Sequence, residues 1–229
     1  MKSSFSFSAD HFAFLRDLSK HNRRDWFTAH KAQYEDAVKS PALRFITEAG
    51  PRLARVAPSF LADPRPVGGS LFRIYRDTRF GGDKTPYKTH TGIQFRHKAG
   101  KDAHAPCYYL HIEPRGCFVA VGIWHPDGPA LARIRSAIVA VPSDWKKARD
   151  DRRLRASFDL SGDSLARTPR GYDPEHPLIE DLKRKDFVAV AGLTERDVIA
   201  ADFLDRFIGL CRDGAPFVRF LCGAIGVSF

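Results

Sequence analysis

Residues 107–125 read CYYLHIEPRGCFVAVGIWH, two runs of alternating side chains joined by Pro114-Arg115-Gly116. Tyr108, Leu110 and Ile112 alternate with Tyr109, His111 and Glu113, and Val119, Val121 and Ile123 alternate with Phe118, Ala120, Gly122 and Trp124. A period of two through both runs predicts a β-hairpin with one covered face and one open face. The two faces stay separate only if the hairpin loop has an even residue count. An odd count would set His111 opposite Val119 and mix them.

Two more alternating runs lie upstream. In SLFRIYR (70–76), Phe72 and Ile74 alternate with Arg73 and Tyr75; in TGIQFRH (91–97), Ile93 and Phe95 alternate with Gln94 and Arg96. Four successive strands predict an antiparallel meander. Its covered face takes Phe72, Ile74, Ile93, Phe95 and the apolar set of the hairpin. Its open face takes Arg73, Tyr75, Gln94, Arg96, Tyr109, His111, Glu113 and Trp124, with Ala120 and Gly122 as a floor.

The flanks read as helices. Ser8 is a cap for a helix with Phe12, Leu15 and Leu18 on one stripe, and Asn22 a cap for a second with Trp26, Phe27, His30, Tyr34 and Val38. Ser40-Pro41 has the look of an N-cap followed by Pro at the first helical position, with Pro51 as a kink or a new start. Beyond the sheet, helices are expected over 127–140, over Ser143 to Arg155 and near 176–184. DFVAV (186–190) reads as an edge strand, Thr194 caps a helix to about Cys211, and a last helix covers 215–225. The expectation is a single α+β domain over 1–229: an antiparallel meander sheet with one face covered by N-terminal and C-terminal helices. Residues 1–60 form the helical lobe, 70–125 the sheet core and 126–229 a mostly helical remainder.

With 229 residues, 43% of them hydrophobic, the chain has material for a sizeable core without metal or disulfide staples. The formal charge of +10 is local. Residues 65–101 hold nine Lys/Arg against Asp77 and Asp83, a net of +7, and residues 146–155 hold six against two Asp, a net of +4. The remainder is close to neutral. Cys107, Cys117, Cys211 and Cys222 show no C-x-x-C spacing and sit among apolar neighbours, as buried free thiols do. No apolar run is long enough for a membrane span and no signal-peptide core is present, so a cytoplasmic protein is expected, with its oligomeric state open.

Between the first two runs lies DTRFGGDKTPYKTH (77–90). Gly81-Gly82 lets the backbone turn tightly and aim successive N–H groups at an anion. Arg79, Lys84 and Lys88 supply charge, Arg as a planar fork and Lys as a point charge. Asp77 between Arg76 and Arg79, and Asp83 beside Lys84, read more readily as structural ion-pair partners than as catalysts.

The runs LRDLSKHNRRDWFTAHKAQYE, FRIYRDTRFGGDKTPYKTHTG and CYYLHIEPRGCFVAVGIWHPDGPALARIRSAI together resemble the domain of unknown function 2461 family of bacterial and fungal proteins. The resemblance runs from about residue 8 to about 222 and is carried by R-D-x-R-F…D-K-x-P-Y-K. Matched positions are Asn22, Arg24, Trp26, Phe27, Arg76, Asp77, Arg79, Phe80, Asp83, Lys84, Pro86, Tyr87, Lys88, Gly122 and Trp124. It implies a family without implying a reaction.

No G-x-S-x-G, P-loop or dinucleotide fingerprint occurs, and no cofactor is expected. None of the nine histidines forms H-x-x-x-H or H-E-x-x-H, so no metal site is expected; the convergence considered was His111 and His125 with Asp77 or Asp83. The leading reading is a pocket for a small anionic, phosphorylated ligand, open to an enzymatic role. Arg73, Arg76, Arg79, Lys84, Lys88 and Arg96 neutralise the ligand, Tyr75, Tyr87 and Trp124 orient it, and His111, Asp77 and Asp83 are the acid–base candidates. The alternative is a nucleic-acid-binding module using the same loop and the 146–155 helix. A third reading makes the loop a structural clasp of sheet on helices.

Overall fold

The computed structural model describes residues 5–79, 82–100 and 105–229. Phe80 and Gly81 of the 77–90 loop, and Lys101 among the charges counted over 65–101, lie outside the described residues.

The hairpin forms as expected. β2 (Cys107–Ile112) and β3 (Cys117–Ile123) pair antiparallel with His111 opposite Phe118, so the loop count is even and the faces stay separate. β1 (Thr91–Arg96) pairs antiparallel with β2. Beyond β3 the order departs from a pure meander. β4 (Asp159–Ser161) and β5 (Phe187–Leu193) complete an antiparallel sheet of order β1-β2-β3-β5-β4. The 186–190 run is therefore an internal strand, not an edge. The edge is β4, whose three residues in a turn-rich stretch are too short to show a period.

SLFRIYR is not a continuous strand. It touches β1 through a Leu71–Ile93 bridge and then leaves to pair Tyr75 with Tyr87. Leu71 and Ile74 are both buried, three residues apart, which breaks the period of two. The reason is that they serve different cores. Leu71 joins the main core between sheet and helices, and Ile74 joins a smaller cluster with Phe14, Phe27 and Tyr87. Phe72 is thereby turned away from the core and onto the open side of the sheet, against Tyr109.

α1 (Ala9–Lys20) buries Phe12, Leu15 and Leu18 as its spacing requires. The next segment is α2 (Arg24–Ala29), capped at Arg23 rather than Asn22. α3 (Lys31–Tyr34) runs through a π-helical turn over Glu35–Lys39 into α4 (Ser40–Leu53). Ser40 is therefore inside a helical path and caps nothing.

After the sheet come α5 (Gly128–Ala140), α6 (Pro142–Arg149) and α7 (Arg152–Ser157). The basic helix expected over 143–155 is split, because the Asp151 carboxylate accepts the Arg153 and Leu154 N–H groups and starts a new helix. α8 (Ile179–Lys183) precedes β5. Thr194 and Asp197 form a capping box for α9 (Glu195–Ile199), and α10 then runs unbroken over Phe203–Ile225. The break expected between two C-terminal helices is thus shifted to 200–202. The buried stripe Phe203, Phe207, Cys211, Val218, Leu221 stays in register across Pro216, so burial outweighs the hydrogen bond that Pro cannot donate.

α10 packs on β3 and on α4, α5, α6 and α7, and α4 also meets β1. Helices from both ends of the chain therefore cover one sheet face, which makes the fold α+β. The opposite face carries the candidate site.

Candidate functional site

The open face of the sheet holds an apolar cavity of about 380 Å3. Its floor is Ala120 and Gly122 of β3 with Val188 and Val190 of β5; Phe72, Tyr109 and Phe118 wall one side and Trp124 the other. Gly122 is required there. Its φ is +120°, and a Cβ would sit 2.0 Å from the Phe187 carbonyl oxygen of the neighbouring strand. Cys107, Gln94 and Ser161 add polar groups to the lining, but burial pushes the Cys107 thiol up to about 11, so it is not a thiolate nucleophile at neutral pH. At the Trp124 end, the buried Asp186 carboxylate accepts the His125 and Asp163 N–H groups at 2.7 and 2.8 Å and joins three loops.

At the Tyr109–Phe118 end, three ligating side chains converge. His90, His111 and Glu113 each place one ligand atom within 4.8 Å of the others. His111 stacks on Phe118 with ring centres 4.6 Å apart, and its Nδ1 is 3.1 Å from the Tyr109 hydroxyl. Its Nε2 is 3.2 Å from Glu113 Oε2, and Thr89 donates to Glu113 Oε1 at 2.9 Å. Burial drives the His90 imidazole down to about 4, aided by neighbouring His111, and burial lowers His111 too. These three could hold a metal ion. His125 and Asp77, weighed for such a role, are elsewhere: His125 pairs with Asp186 and Asp77 with Arg79.

The cationic side chains form a separate system. The expected single site joining the open sheet face to the basic loop is divided. Arg73, Tyr75, Lys88 and Arg96 line a cleft of about 690 Å3 against the helical lobe, together with Lys31, Tyr34, Glu35 and Lys39. Tyr75, Arg76, Lys84 and Tyr87 line a second cleft of about 560 Å3 with Arg24 and Thr28. Trp124 stays with the apolar cavity, and Phe72 borders both that cavity and the larger cleft.

Within the loop, charge is largely committed. Arg79 forks onto Asp77, holding that carboxyl well below the usual carboxylate range. Asp83 accepts the Thr85 N–H and pairs with Arg76, which lowers it as well. Lys84 donates to the Thr78 carbonyl at 2.8 Å. The loop base is closed by Arg76 N–H to Pro86 and Lys88 N–H to Ile74, and Asn22 grips it from α1's end by bonding both the N–H and the C=O of Tyr87. Lys88 differs from its neighbours: half-buried over the Phe72 ring at 5.4 Å, it has no carboxylate partner among the described residues. Burial, with Arg73 nearby, holds its ammonium below the ordinary lysine value.

His90, Lys31 and Lys39 were absent from the sequence-derived site. Extending the β1–β2 register by one residue puts His90 opposite Glu113, so continuing the Gly92–Gln94 face back to residue 90 would have found it. The sequence between the two strands, 97–106, carries no periodic signal that would fix that register.

Fold and site together define an α+β protein with an antiparallel sheet, one face under helices and the other carrying a cavity beside a cationic cleft. Residues 10–220 match the model of the family described as conserved hypothetical protein (DUF2461), and the chain belongs to that family. No curated protein and no solved structure matches the chain. Among the described residues no helix is long and apolar enough to cross a membrane.

Proposed function

We propose that the protein binds a small anionic ligand, of the phosphate-ester class, in the cleft lined by Arg73, Lys88 and Arg96. The observation that carries this is Lys88: a half-buried ammonium with no carboxylate partner among the described residues, next to Arg73, is a charge arrangement that an incoming anion relieves. Lys31 and Lys39 add positive charge on the facing helices, and Glu35, which pairs with Lys39, is the acidic member among the described lining residues. Tyr75 and Phe72 give the ligand's uncharged part aromatic walls. Arg76, Arg79, Lys84, Asp77 and Asp83 act in this reading as the frame of the loop. Four buried thiols without disulfides support a reducing, cytoplasmic setting.

Nucleic-acid binding through the 146–155 segment has less support, since Arg149 is held by Asp150 and Asp181. A thermal-shift series with inorganic phosphate, pyrophosphate, nucleoside monophosphates, sugar phosphates and a short oligonucleotide tests the proposal. A small phosphate ester at a hundredfold excess over its Kd should add about 2.7 kcal/mol of stability. The Lys88→Gln variant should lose the shift and a variant carrying both Arg152→Gln and Arg153→Gln should keep it. Stabilisation by the oligonucleotide alone, abolished by moderate salt, would favour the nucleic-acid reading; no stabilisation by any anion would refute both.

A further inference from the structure

The open face of the sheet carries a second, chemically different feature. His90, His111 and Glu113 come from the approach to β1 and the end of β2, and their ligand atoms lie within 4.8 Å of one another. We propose that they bind one divalent first-row transition-metal ion, through two imidazole nitrogens and one carboxylate oxygen.

The geometry of the strand end favours this over a chance meeting of polar groups. Tetrahedral coordination with bonds of about 2.0–2.1 Å puts ligand atoms about 3.3 Å apart, and His111 Nε2 stands 3.2 Å from Glu113 Oε2. That edge of the coordination shell is in place before any ion enters. The other atoms of both ligands are already held. Tyr109 Oη lies 3.1 Å from His111 Nδ1, where it can accept the ring N–H and leave the Nε2 lone pair for a metal. Thr89 fixes Glu113 Oε1, leaving Oε2 as the ligating oxygen. The stack on Phe118 sets the His111 ring plane. Gly92 makes the tyrosine contact feasible, because a Cβ at that position would lie 2.7 Å from the Tyr109 hydroxyl.

Mixed imidazole and carboxylate donors suit zinc, iron, cobalt and manganese better than calcium or magnesium, which prefer all-oxygen shells. Three protein ligands leave at least one coordination position for water or a bound molecule. Tyr109 and Phe118, which hold His111, also wall the apolar cavity, so a molecule in the cavity reaches the ion's surroundings without crossing the core. The proposal does not depend on the anionic-ligand reading, whose cleft has its own lining.

The test is a titration of chelator-stripped full-length protein with Co2+ alone, followed by visible absorption, and then displacement with Zn2+. One equivalent of Co2+ should bind with d–d bands that Zn2+ abolishes, and the paramagnetic NMR spectrum should show shifted imidazole resonances from two histidines. Glu113→Gln and His90→Gln should each weaken binding at least tenfold while leaving the metal-free melting temperature close to that of the unmodified protein. If a variant misfolds, the NMR of the unmodified chain still decides: shifted resonances from other than two histidines overturn the assignment. The absence of one-to-one binding, or an affinity in both variants equal to that of the unmodified protein, would overturn it as well.

Discussion

At the residue scale, two positions on the central hairpin have opposite energetic roles. Gly122 sits where only a residue without a Cβ fits between β3 and the Phe187 carbonyl. Gly122→Ala should therefore destabilise the protein by about 3 kcal/mol or more, read from the urea midpoint, and distort the cavity floor. Tyr108 points the other way. Its ring fills the core, but its hydroxyl is buried with no hydrogen-bond partner among the described residues. Tyr108→Phe removes an unsatisfied polar atom while keeping the ring, and should stabilise by about 1 kcal/mol. A loss of stability in that variant would mean that the hydroxyl has a partner.

At the scale of elements, the loop between the first extended segment and β1 is held by one asparagine. Asn22 bonds the N–H and the C=O of Tyr87 at 3.1 and 2.9 Å, across 65 residues of chain. Asn22→Ala should cost about 2 kcal/mol and speed amide hydrogen exchange at Tyr87 and Lys88 while α10 keeps its protection. This role was not legible in the sequence, where Asn22 looks like a helix cap, since local spacing cannot show a partner so remote. The hairpin was legible because β2 and β3 are joined by a short loop whose parity fixes both faces. The split of the basic residues between two clefts, and their separation from the cavity, was not. It depends on Leu71 and Ile74 serving different cores, which an alternating pattern conceals. β4 was missed for want of length, and the continuity of α10 because Pro216 is a helix breaker unless burial on both sides overrides it.

At the scale of the molecule, one apolar cluster draws residues from Phe5 to Cys222 and ties both helical ends to the sheet. Unfolding followed by far-ultraviolet circular dichroism and by tryptophan fluorescence should therefore trace one coincident transition. Acid should weaken it through His11. That imidazole is fully buried, bonded to the Ala37 carbonyl and to Thr91, and burial drives it down to about 4. The unfolded chain, with histidine near 6.5, binds more protons between those two values, so stability rises with pH across that window. Lowering the pH from about 7 to about 4 should remove about 3 kcal/mol on this account alone. His11→Gln should flatten the slope of stability against pH between 4 and 6.5. An unchanged slope would show that other groups carry the acid sensitivity.

On the proposed function the cationic cleft gives the local charge of the 65–101 segment its use, and calorimetric titration of pyrophosphate into the full-length protein at low and moderate salt tests that proposal most directly. The expected result is one site per chain that survives moderate salt and weakens at least tenfold in Lys88→Gln. Absence of saturable heat, or equal binding by Lys88→Gln, would contradict the assignment of the cleft to an anionic ligand.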